Sequence, residues 1–243
     1  MHWRERDGVR WLEADLPSAV AAFSTRLGGT SAGAFASLNL GLVTNDDPKR
    51  VHDNRAALAK ALDLEPENVL AGFQVHGPDV ARHDSPISPA PFLGAGEPQR
   101  VDGQATSATG LAPLVFVADC LPIALAGPRG IAMLHGGWRG LASGIVARGV
   151  HEVGASAAAI GPGIGPCCFE VGTDVLDRFS GLGDGIARGR TLDLPEVAAR
   201  LLDAAGVQVV ERADICTSCE PELFFSHRRD GGETGRQVGV VWS

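Results

Sequence analysis

Long apolar runs are missing from this sequence of 243 residues. No segment approaches the roughly 20 unbroken apolar residues that a membrane-spanning helix needs. The first residues, MHWRERDGVRW, are charged and lack the apolar core of a secretory signal. We therefore expect a protein with no membrane partner and a cytoplasmic location.

Positive charge is scarce as well. Lysine and arginine number 21 against 29 aspartate and glutamate residues, which gives a formal net charge of −8. A nucleic-acid-binding surface needs the opposite balance, so we expect no nucleic-acid partner, although a few arginines could still bind a small anion. The hydrophobic content of 44% is that of a globular protein. The length predicts a single domain, residues 1–243, and leaves the oligomeric state open.

Cysteine is too sparse and too unevenly placed for a disulfide framework. There are five cysteines, an odd number. Cys167 and Cys168 are adjacent and cannot easily bridge each other, so we interpret them as small buried residues of a tight loop. Cys216 and Cys219 have the spacing of a metal or redox pair, but the sequence offers no obvious second pair. We therefore interpret them as structural.

The pattern of apolar residues predicts strands and helices that alternate only in part of the chain. The predicted strands cover residues 19–25, 68–73, 115–117, 123–125, 130–134, 157–160, 207–210 and 237–242, with 78–83 as the hairpin partner of 68–73. The predicted helices cover residues 47–62, 141–153 and 193–205, and the loops include 27–41 and 84–100. This order favours an α+β fold, with mixed β-sheets flanked by helices.

The residues best suited to bind a metal ion or to act in catalysis lie where predicted strands end. Asp119 and Cys120 follow one core strand, His135 follows the next, and His76 follows an earlier one. Two imidazoles and one thiolate suit a zinc ion and leave its fourth position open for water or substrate. Their separations match no short zinc-finger pattern. The residues alone thus leave two interpretations open, a metal site or a buried cysteine with two ordinary histidines.

Copper is the other metal that these residues allow. Met133 lies two residues before His135 on the same predicted strand face, where it could serve as an axial ligand. The seven histidines of the chain are too few for a multicopper oxidase. The pattern favours Met133 as a core residue.

A series of motifs, in order from about Phe23 to Trp242, resembles the laccase-domain family. That family is also called the polyphenol oxidase, purine nucleoside phosphorylase or peptidoglycan editing factor family. The motifs are RLGGTS from Arg26, SLNLG from Ser37, the pair Asn54-Arg55, QVHG from Gln74, ADCLP from Ala118, HGGWRG from His135, GPGIGPCCFEVG from Gly161 and FSHRRD from Phe225.

The resemblance implies a zinc ion held by His76, Cys120 and His135. It also implies phosphorolysis of adenosine, inosine, guanosine and methylthioadenosine, together with deamination of adenosine. The partners would then be a nucleoside and phosphate. Cys120, His135, His76 and Asp119 form the expected catalytic set, with Asp119 or Asp102 as the acid that protonates the departing purine.

Phosphate needs cationic or backbone donors. Arg26 and Arg139 both adjoin glycines, where backbone N–H groups can approach an anion. We therefore assign Arg26, Arg139 and Asn39 of the SLNLG motif to substrate or phosphate binding. For either arginine without the resemblance, a solvated or structural ion pair is an equal interpretation.

Three positions depart from the family pattern. Gly136 replaces the usual alanine, which should be harmless, while His227 and Ser218 replace usual tyrosines and put an aromatic stacking role there in question. Other functions use the same residues. One alternative is a cysteine- or zinc-dependent amidase that edits peptidoglycan precursors, with Cys120 as the nucleophile and His135 as the base in the cysteine-dependent form. A copper-dependent polyphenol oxidase and a non-enzymatic accessory protein are the remaining alternatives.

Overall fold

The computed structural model describes all 243 residues. Its strands are β1 (His2–Arg6), β2 (Val9–Leu16), β3 (Ala19–Ser24), β4 (Val69–Ala71), β5 (Val80–Arg82), β6 (Gly103–Thr106), β7 (Ala112–Val117), β8 (Leu121–Gly127), β9 (Gly130–Gly136), β10 (Ala157–Ile160), β11 (Ala187–Arg188), β12 (Thr191–Leu192), β13 (Val209–Arg212) and β14 (Gln237–Trp242). The α-helices are α1 (Pro48–Ala61), α2 (Trp138–Ala142), α3 (Ile145–Val153), α4 (Thr173–Asp177) and α5 (Leu194–Ala204). None of them combines the length and the apolar character that crossing a membrane requires.

Two six-stranded sheets carry the fold. The first has the strand order β1-β2-β3-β14-β7-β4 and the second the order β13-β10-β8-β9-β6-β5. Most neighbours are antiparallel, but β4 with β7, β5 with β6 and β10 with β13 are parallel. The predicted α+β class with mixed sheets is confirmed.

The core consists of three hydrophobic clusters, because successive side chains of a strand point to opposite faces of its sheet. Along β8, Ile123 and Leu125 face a cluster shared with α3 and α5, whereas Ala124 and Ala126 face the first sheet. Along β7, Val115 faces the same inter-sheet cluster. The outer face of the first sheet packs with α1. The sequence of layers is therefore helix, sheet, sheet and helix, because each strand in the middle buries both faces.

The two sheets approach closely because small residues line the space between them. A Cβ on Gly161 would lie 2.3 Å from the Phe23 ring, and one on Gly239 would lie 2.5 Å from Cβ of Pro122. Alanines of β3, β8 and β10 fill much of the remaining inter-sheet cluster. Neither glycine position leaves room for even a methyl group.

The predicted strands are present, most of them within a few residues of the expected bounds. One pairing is wrong. Residues 78–83 were expected to form a hairpin with 68–73, but β4 pairs with β7 in the first sheet and β5 pairs with β6 in the second. Strands adjacent in sequence here belong to different layers.

The strands β1 and β2 were not predicted, because exposed charged residues interrupt their apolar pattern.

Two of the three predicted helices are confirmed. Asp47 caps α1, where its side chain accepts from the backbone N–H of Lys49, and Asp193 caps α5 in the same manner. The single helix expected over 141–153 is wrong. Gly144 has a φ of +91° and separates α2 from α3. Gly149 does provide the expected close packing, since its Cβ would lie 2.7 Å from Leu134.

The β8–β9 hairpin turn gives the first testable prediction. Gly130 has a φ of +127°, and a Cβ there would lie 2.0 Å from the backbone oxygen of Thr106. Gly130→Ala should lower the free energy of unfolding by at least about 1–3 kcal/mol, the usual cost of such a backbone conformation, with the clash added. Denaturant unfolding measures the change.

Gly110→Ala is the matched control. Gly110 also has a positive φ, of +84°, but a Cβ there would meet no atom within 4 Å. Its loss of stability should be clearly smaller. Equal losses in the two variants would contradict the steric argument at Gly130.

Candidate functional site

A hairpin brings Cys120 beside His135. Asp119 and Cys120 form the connection between β7 and β8, and His135 lies near the end of β9. In the β8–β9 register, Pro122 is opposite His135 and Leu121 is opposite Gly136. Cys120, which directly precedes Leu121, therefore lies beside the end of β9. Gly137, just beyond it, leaves space for the cysteine, because a Cβ on Gly137 would lie 3.1 Å from Sγ of Cys120.

His76 arrives from the other sheet, on the loop after β4. Its φ is +61°, which is unfavourable for a residue with a side chain. The carboxylate of Asp102 holds this conformation by accepting hydrogen bonds from the backbone N–H groups of Val75 (3.0 Å), His76 (2.8 Å) and Gly77 (2.8 Å). Strained backbone of this kind concentrates at functional sites.

Asp102 also positions His135. Its Oδ1 lies 2.8 Å from Nδ1 of His135, and its backbone oxygen accepts from the N–H of His135 at 2.7 Å. The side chain of Asp102 is completely buried. A carboxylate at Nδ1 leaves Nε2 of the imidazole as the atom free to bind a metal ion.

His76, Cys120 and His135 form a group that could hold a metal ion. Their ligand atoms lie within 4.8 Å of one another, and the two imidazole centroids are 4.8 Å apart at an interplanar angle of 68°. His135 is buried, Cys120 is half-buried and His76 is exposed. The group is therefore buried on the side of His135 and open to solvent on the side of His76. This arrangement fits three protein ligands and one free position.

The pKa values describe the same group without metal. Burial would raise the pKa of the Cys120 thiol, but the charge and hydrogen bond of His135 lower it to about 6. Burial would lower the pKa of His135, but the Cys120 thiolate and the Asp102 hydrogen bond raise it to about 9. Burial likewise opposes ionisation of Asp102, yet the His135 hydrogen bond and the backbone N–H groups of Gly77 and Val75 lower its pKa. The imidazolium of His135 thus stabilises the two anions, Cys120 and Asp102, and is stabilised by them.

Asp119 is buried next to the cysteine, at a φ of +89°. Its Oδ1 accepts from the hydroxyl of Thr217 and its Oδ2 from the backbone N–H of Arg228, both at 2.7 Å. Asp119 thus ties the β7–β8 connection to the C-terminal segment that follows Cys216.

The ligand group opens into a cavity of about 760 Å³. Its lining includes His76, Asp119, Cys120 and His135, with the aromatic rings of Phe73, Phe116, Trp138 and Phe169. Four arginines, Arg55, Arg139, Arg228 and Arg236, line it as well, while Asp119 is the one carboxylate. The cavity is therefore cationic, although the chain carries a net charge of −8.

The expected phosphate-binding residues divide into two groups. Arg139 lines the cavity, with its guanidinium 4.4 Å from the centroid of the Trp138 ring. Arg26 lies outside the lining and donates to the backbone oxygens of Ala36 (2.6 Å) and Pro221 (2.9 Å). Asn39 also lies outside it, fully buried, and its Oδ1 accepts from the backbone N–H of Arg236 at 2.9 Å. Arg26 and Asn39 make structural contacts here, and Asn39 reaches the cavity through Gly41 and Arg236, whose backbone N–H groups both donate to its Oδ1.

The other three cavity arginines were not predicted. Arg55 is buried, donates to the backbone oxygens of Leu40 and Phe92, and has its pKa lowered to about 10 by burial. Arg228 and Arg236 come from the C-terminal segment. Arg55 belongs to the Asn54-Arg55 motif and Arg228 to the FSHRRD motif, so the sequence offered a signal for both as site residues. Arg236 lies in none of the motifs, and the sequence offered no such signal for it.

The structure also describes the positions that bear on copper and on stacking. Met133 is fully buried in the cluster between the two sheets, so the expectation of a core residue is confirmed. His227, which replaces a usual tyrosine, lines the cavity with an imidazole. Ser218 is not part of the lining.

The remaining cysteines are not as expected. Cys167 is exposed and Cys168 is half-buried, so the interpretation of both as small buried residues is wrong. Cys216 and Cys219 do have a second pair nearby, because the Sγ atoms of all four cysteines lie within 4.8 Å of one another.

Comparison with known proteins gives consistent matches over nearly the whole chain. Purine nucleoside phosphorylase YlmD of Geobacillus stearothermophilus is 37% identical over 98% of this chain and 96% of its own length. Purine nucleoside phosphorylase YfiH of Escherichia coli is 35% identical over 93% of this chain and 95% of its own length.

Solved structures agree in fold. The crystal structure of YlmD from Geobacillus stearothermophilus has a TM-score of 0.87 at 36% identity and covers 98% of this chain and 97% of its own. A family model described as multi-copper polyphenol oxidoreductase laccase matches residues 20–243. The chain therefore belongs to this laccase family, which the motifs of the sequence resemble.

Proposed function

We propose that the protein is a zinc-dependent purine nucleoside phosphorylase and that residues 1–243 form its one domain. The substrates are adenosine, inosine, guanosine and methylthioadenosine, with phosphate as the attacking group. Deamination of adenosine is a second proposed reaction of the same site. The names of the two relatives above support the nucleoside class.

The observation that carries the proposal is the composition of the cavity. Four arginines and one carboxylate line it, so an anion gains favourable electrostatic energy there despite the acidic surface. The apolar rings of Phe116 and Trp138 offer flat surfaces for a purine. Its volume of about 760 Å³ is within the range of small-molecule sites. Phosphate and a purine nucleoside match these two kinds of surface.

His76, Cys120 and His135 would hold the metal, and the donor set of two nitrogens and one sulfur fits zinc. When bound, zinc would polarise a phosphate or water oxygen. Copper is less favoured, because Met133 lies in the inter-sheet core and offers no axial ligand. Asp102 keeps His135 and His76 in place without entering the cavity lining.

Phosphorolysis breaks the bond between the purine nitrogen and C1′ and forms a bond from a phosphate oxygen to C1′. The purine leaves with a proton on nitrogen. Asp119 is the carboxylate of the cavity and our candidate for handling this proton. The arginines hold phosphate near the sugar, which raises its effective concentration over that of water.

A second candidate function is supported by one specific observation. Cys120, His135 and Asp102 form a connected thiol, imidazole and carboxylate, and the Cys120 pKa is about 6. That constellation is the one used by cysteine nucleophiles. An amidase acting on peptidoglycan precursors would form a thioester on Cys120 and release an amine.

Metal content gives the second testable prediction. The purified protein should carry zinc at the His-Cys-His group, and Cys120→Ala should lose that zinc together with the phosphorylase activity, because a thiolate ligand is removed. Elemental analysis of the purified variant measures the loss. Met133→Leu, in the core, should retain the zinc. Unchanged zinc content in Cys120→Ala would overturn the assignment of this residue as a ligand.

Product analysis gives the third prediction and separates the two functions. With phosphate, inosine should yield hypoxanthine and ribose 1-phosphate, and base release should be slow without phosphate. Arg139→Ala should raise the KM for phosphate about tenfold, because one exposed charge-assisted hydrogen bond contributes about 1.5 kcal/mol. Chromatography of the products against phosphate concentration measures both effects.

Arg50→Ala is the control, since Arg50 lies exposed on α1, away from the cavity lining. It should leave the phosphate dependence unchanged. A covalent adduct on Cys120 with an amide substrate, combined with no phosphorolysis of inosine, would favour the amidase instead.

The charge state of Cys120 gives the fourth prediction. Its lowered pKa means that the thiolate of the metal-free protein persists as the pH falls from 9 and is lost only near about 6. His135→Asn should raise this midpoint well above 6, because burial still disfavours the thiolate and the imidazolium of His135 is gone, which leaves only His76 to favour it. The ultraviolet absorbance of the thiolate, taken as the difference from Cys120→Ala, measures it. A midpoint near 9 in the unmodified chain would contradict the pairing.

A further inference from the structure

Four cysteines that the proposed reaction does not use meet on one side of the molecule. Cys167 and Cys168 lie in the turn after β10, and Cys216 and Cys219 lie in the turn after β13. Their four Sγ atoms are within 4.8 Å of one another. None of the four lines the cavity, so this cluster is separate from the His-Cys-His group.

The sulfur atoms stand at distances suited to a single ion. Sγ of Cys219 lies 3.4 Å from that of Cys167 and 3.5 Å from that of Cys168. A tetrahedral zinc ion with Zn–S bonds of about 2.3 Å separates its sulfur ligands by about 3.8 Å. A disulfide would require about 2.05 Å. The observed separations therefore match ligands around one metal ion better than a bonded pair.

The backbone of both turns is arranged to present the cysteines. The N–H of Cys168 donates to the oxygen of Gly165 at 3.0 Å, and the N–H of Cys219 donates to the oxygen of Cys216 at 3.1 Å. Each turn thus projects its two thiols toward the other. The N–H of Gly165 also donates to Sγ of Cys216 at 3.3 Å, a bond that favours a thiolate.

The turns are also joined by the chain itself. Gly163 and Cys216 form a parallel bridge, in which the N–H of Thr217 donates to the oxygen of Gly163 at 3.0 Å. A Cβ on Gly165 would lie 3.2 Å from Cβ of Cys216, so glycine permits the close approach. The cluster therefore rests on ordered backbone, while exposed Cys167 and Cys219 leave a path for a metal ion from solvent.

We propose that Cys167, Cys168, Cys216 and Cys219 form a second, structural metal site that binds one zinc ion. Four thiolates with tetrahedral geometry select zinc or iron–sulfur chemistry. Four sulfur atoms this close leave room for one ion, whereas a polynuclear cluster would hold them apart by its own width. A site with four protein ligands is closed, so its role is to hold structure.

The site would fix one wall of the cavity. The first turn is continuous with Ile164 and Phe169, both of which line the cavity. In the second turn, Thr217 follows Cys216 and its hydroxyl donates to Asp119. A metal ion joining these two turns would hold the wall and the partner of Asp119 at a fixed separation.

Zinc counting on the full-length protein tests the proposal. With both sites filled, the unmodified chain should hold two zinc ions, and Cys219→Ser and Cys120→Ala should each lose one, from different sites. Ser218→Ala, between the two cysteines, should lose none. Zinc content in Cys219→Ser equal to that of the unmodified chain would overturn the proposal. One zinc that survives Cys120→Ala but not Cys219→Ser would support this site and reject the other.

Misfolding of Cys219→Ser would also cause a loss of zinc. A second measurement therefore uses the Cys120→Ala chain, which keeps all four cysteines of the cluster. Alkylation of Cys167, Cys168, Cys216 and Cys219, followed by peptide mass spectrometry, should be slow with zinc bound and fast after chelation. The metal-free protein reconstituted with cobalt should show thiolate-to-cobalt absorption. A disulfide among the four in protein purified under reducing conditions, or alkylation rates indifferent to chelator, would overturn the proposal.

Discussion

The buried carboxylate of Asp102 is the constraint on which the site depends. It accepts three backbone N–H groups from the loop after β4, which belongs to the first sheet, and contacts the imidazole of His135 on β9 of the second. Four donors offset the cost of burying a charge with no exposed surface. One side chain thus joins two layers of the fold at the point where His76, Cys120 and His135 meet. Removing its charge would leave buried donors unpaired as well as two histidines unfixed.

The same carboxylate relates the two chemistries that the site allows. If the group holds a metal ion, the bond from Asp102 to Nδ1 would leave Nε2 of His135 for that ion. Without one, the Cys120 thiolate and Asp102 outweigh burial and raise the pKa of His135 to about 9, while the charge of His135 lowers the pKa of Cys120 to about 6. Metal binding would displace the proton of His135, so metal occupancy and the charge of this pair would be linked.

The sequence was informative where local physics decides and uninformative where packing decides. Asp47 and Asp193 marked helix starts, and apolar runs marked the central strands, because caps and core strands leave local signals. The partner of β5 could not be deduced, since chain neighbours here enter different sheets. His76, Cys120 and His135 were recognisable as strand-end residues within family motifs. Arg236 and the meeting of Cys167 with Cys219 depend on tertiary contacts between distant segments.

The close approach of the two sheets at Gly161 and Gly239 has a consequence for how this protein can change. Gly161 lies against Phe23 and Gly239 against Pro122, and neither position has room for one more carbon. A carbon added at either glycine would force its neighbours in the facing layer to shift, and His76 and His135 come from different layers. A substitution at either glycine would therefore disturb the placement of His76 relative to His135, although neither glycine lines the cavity.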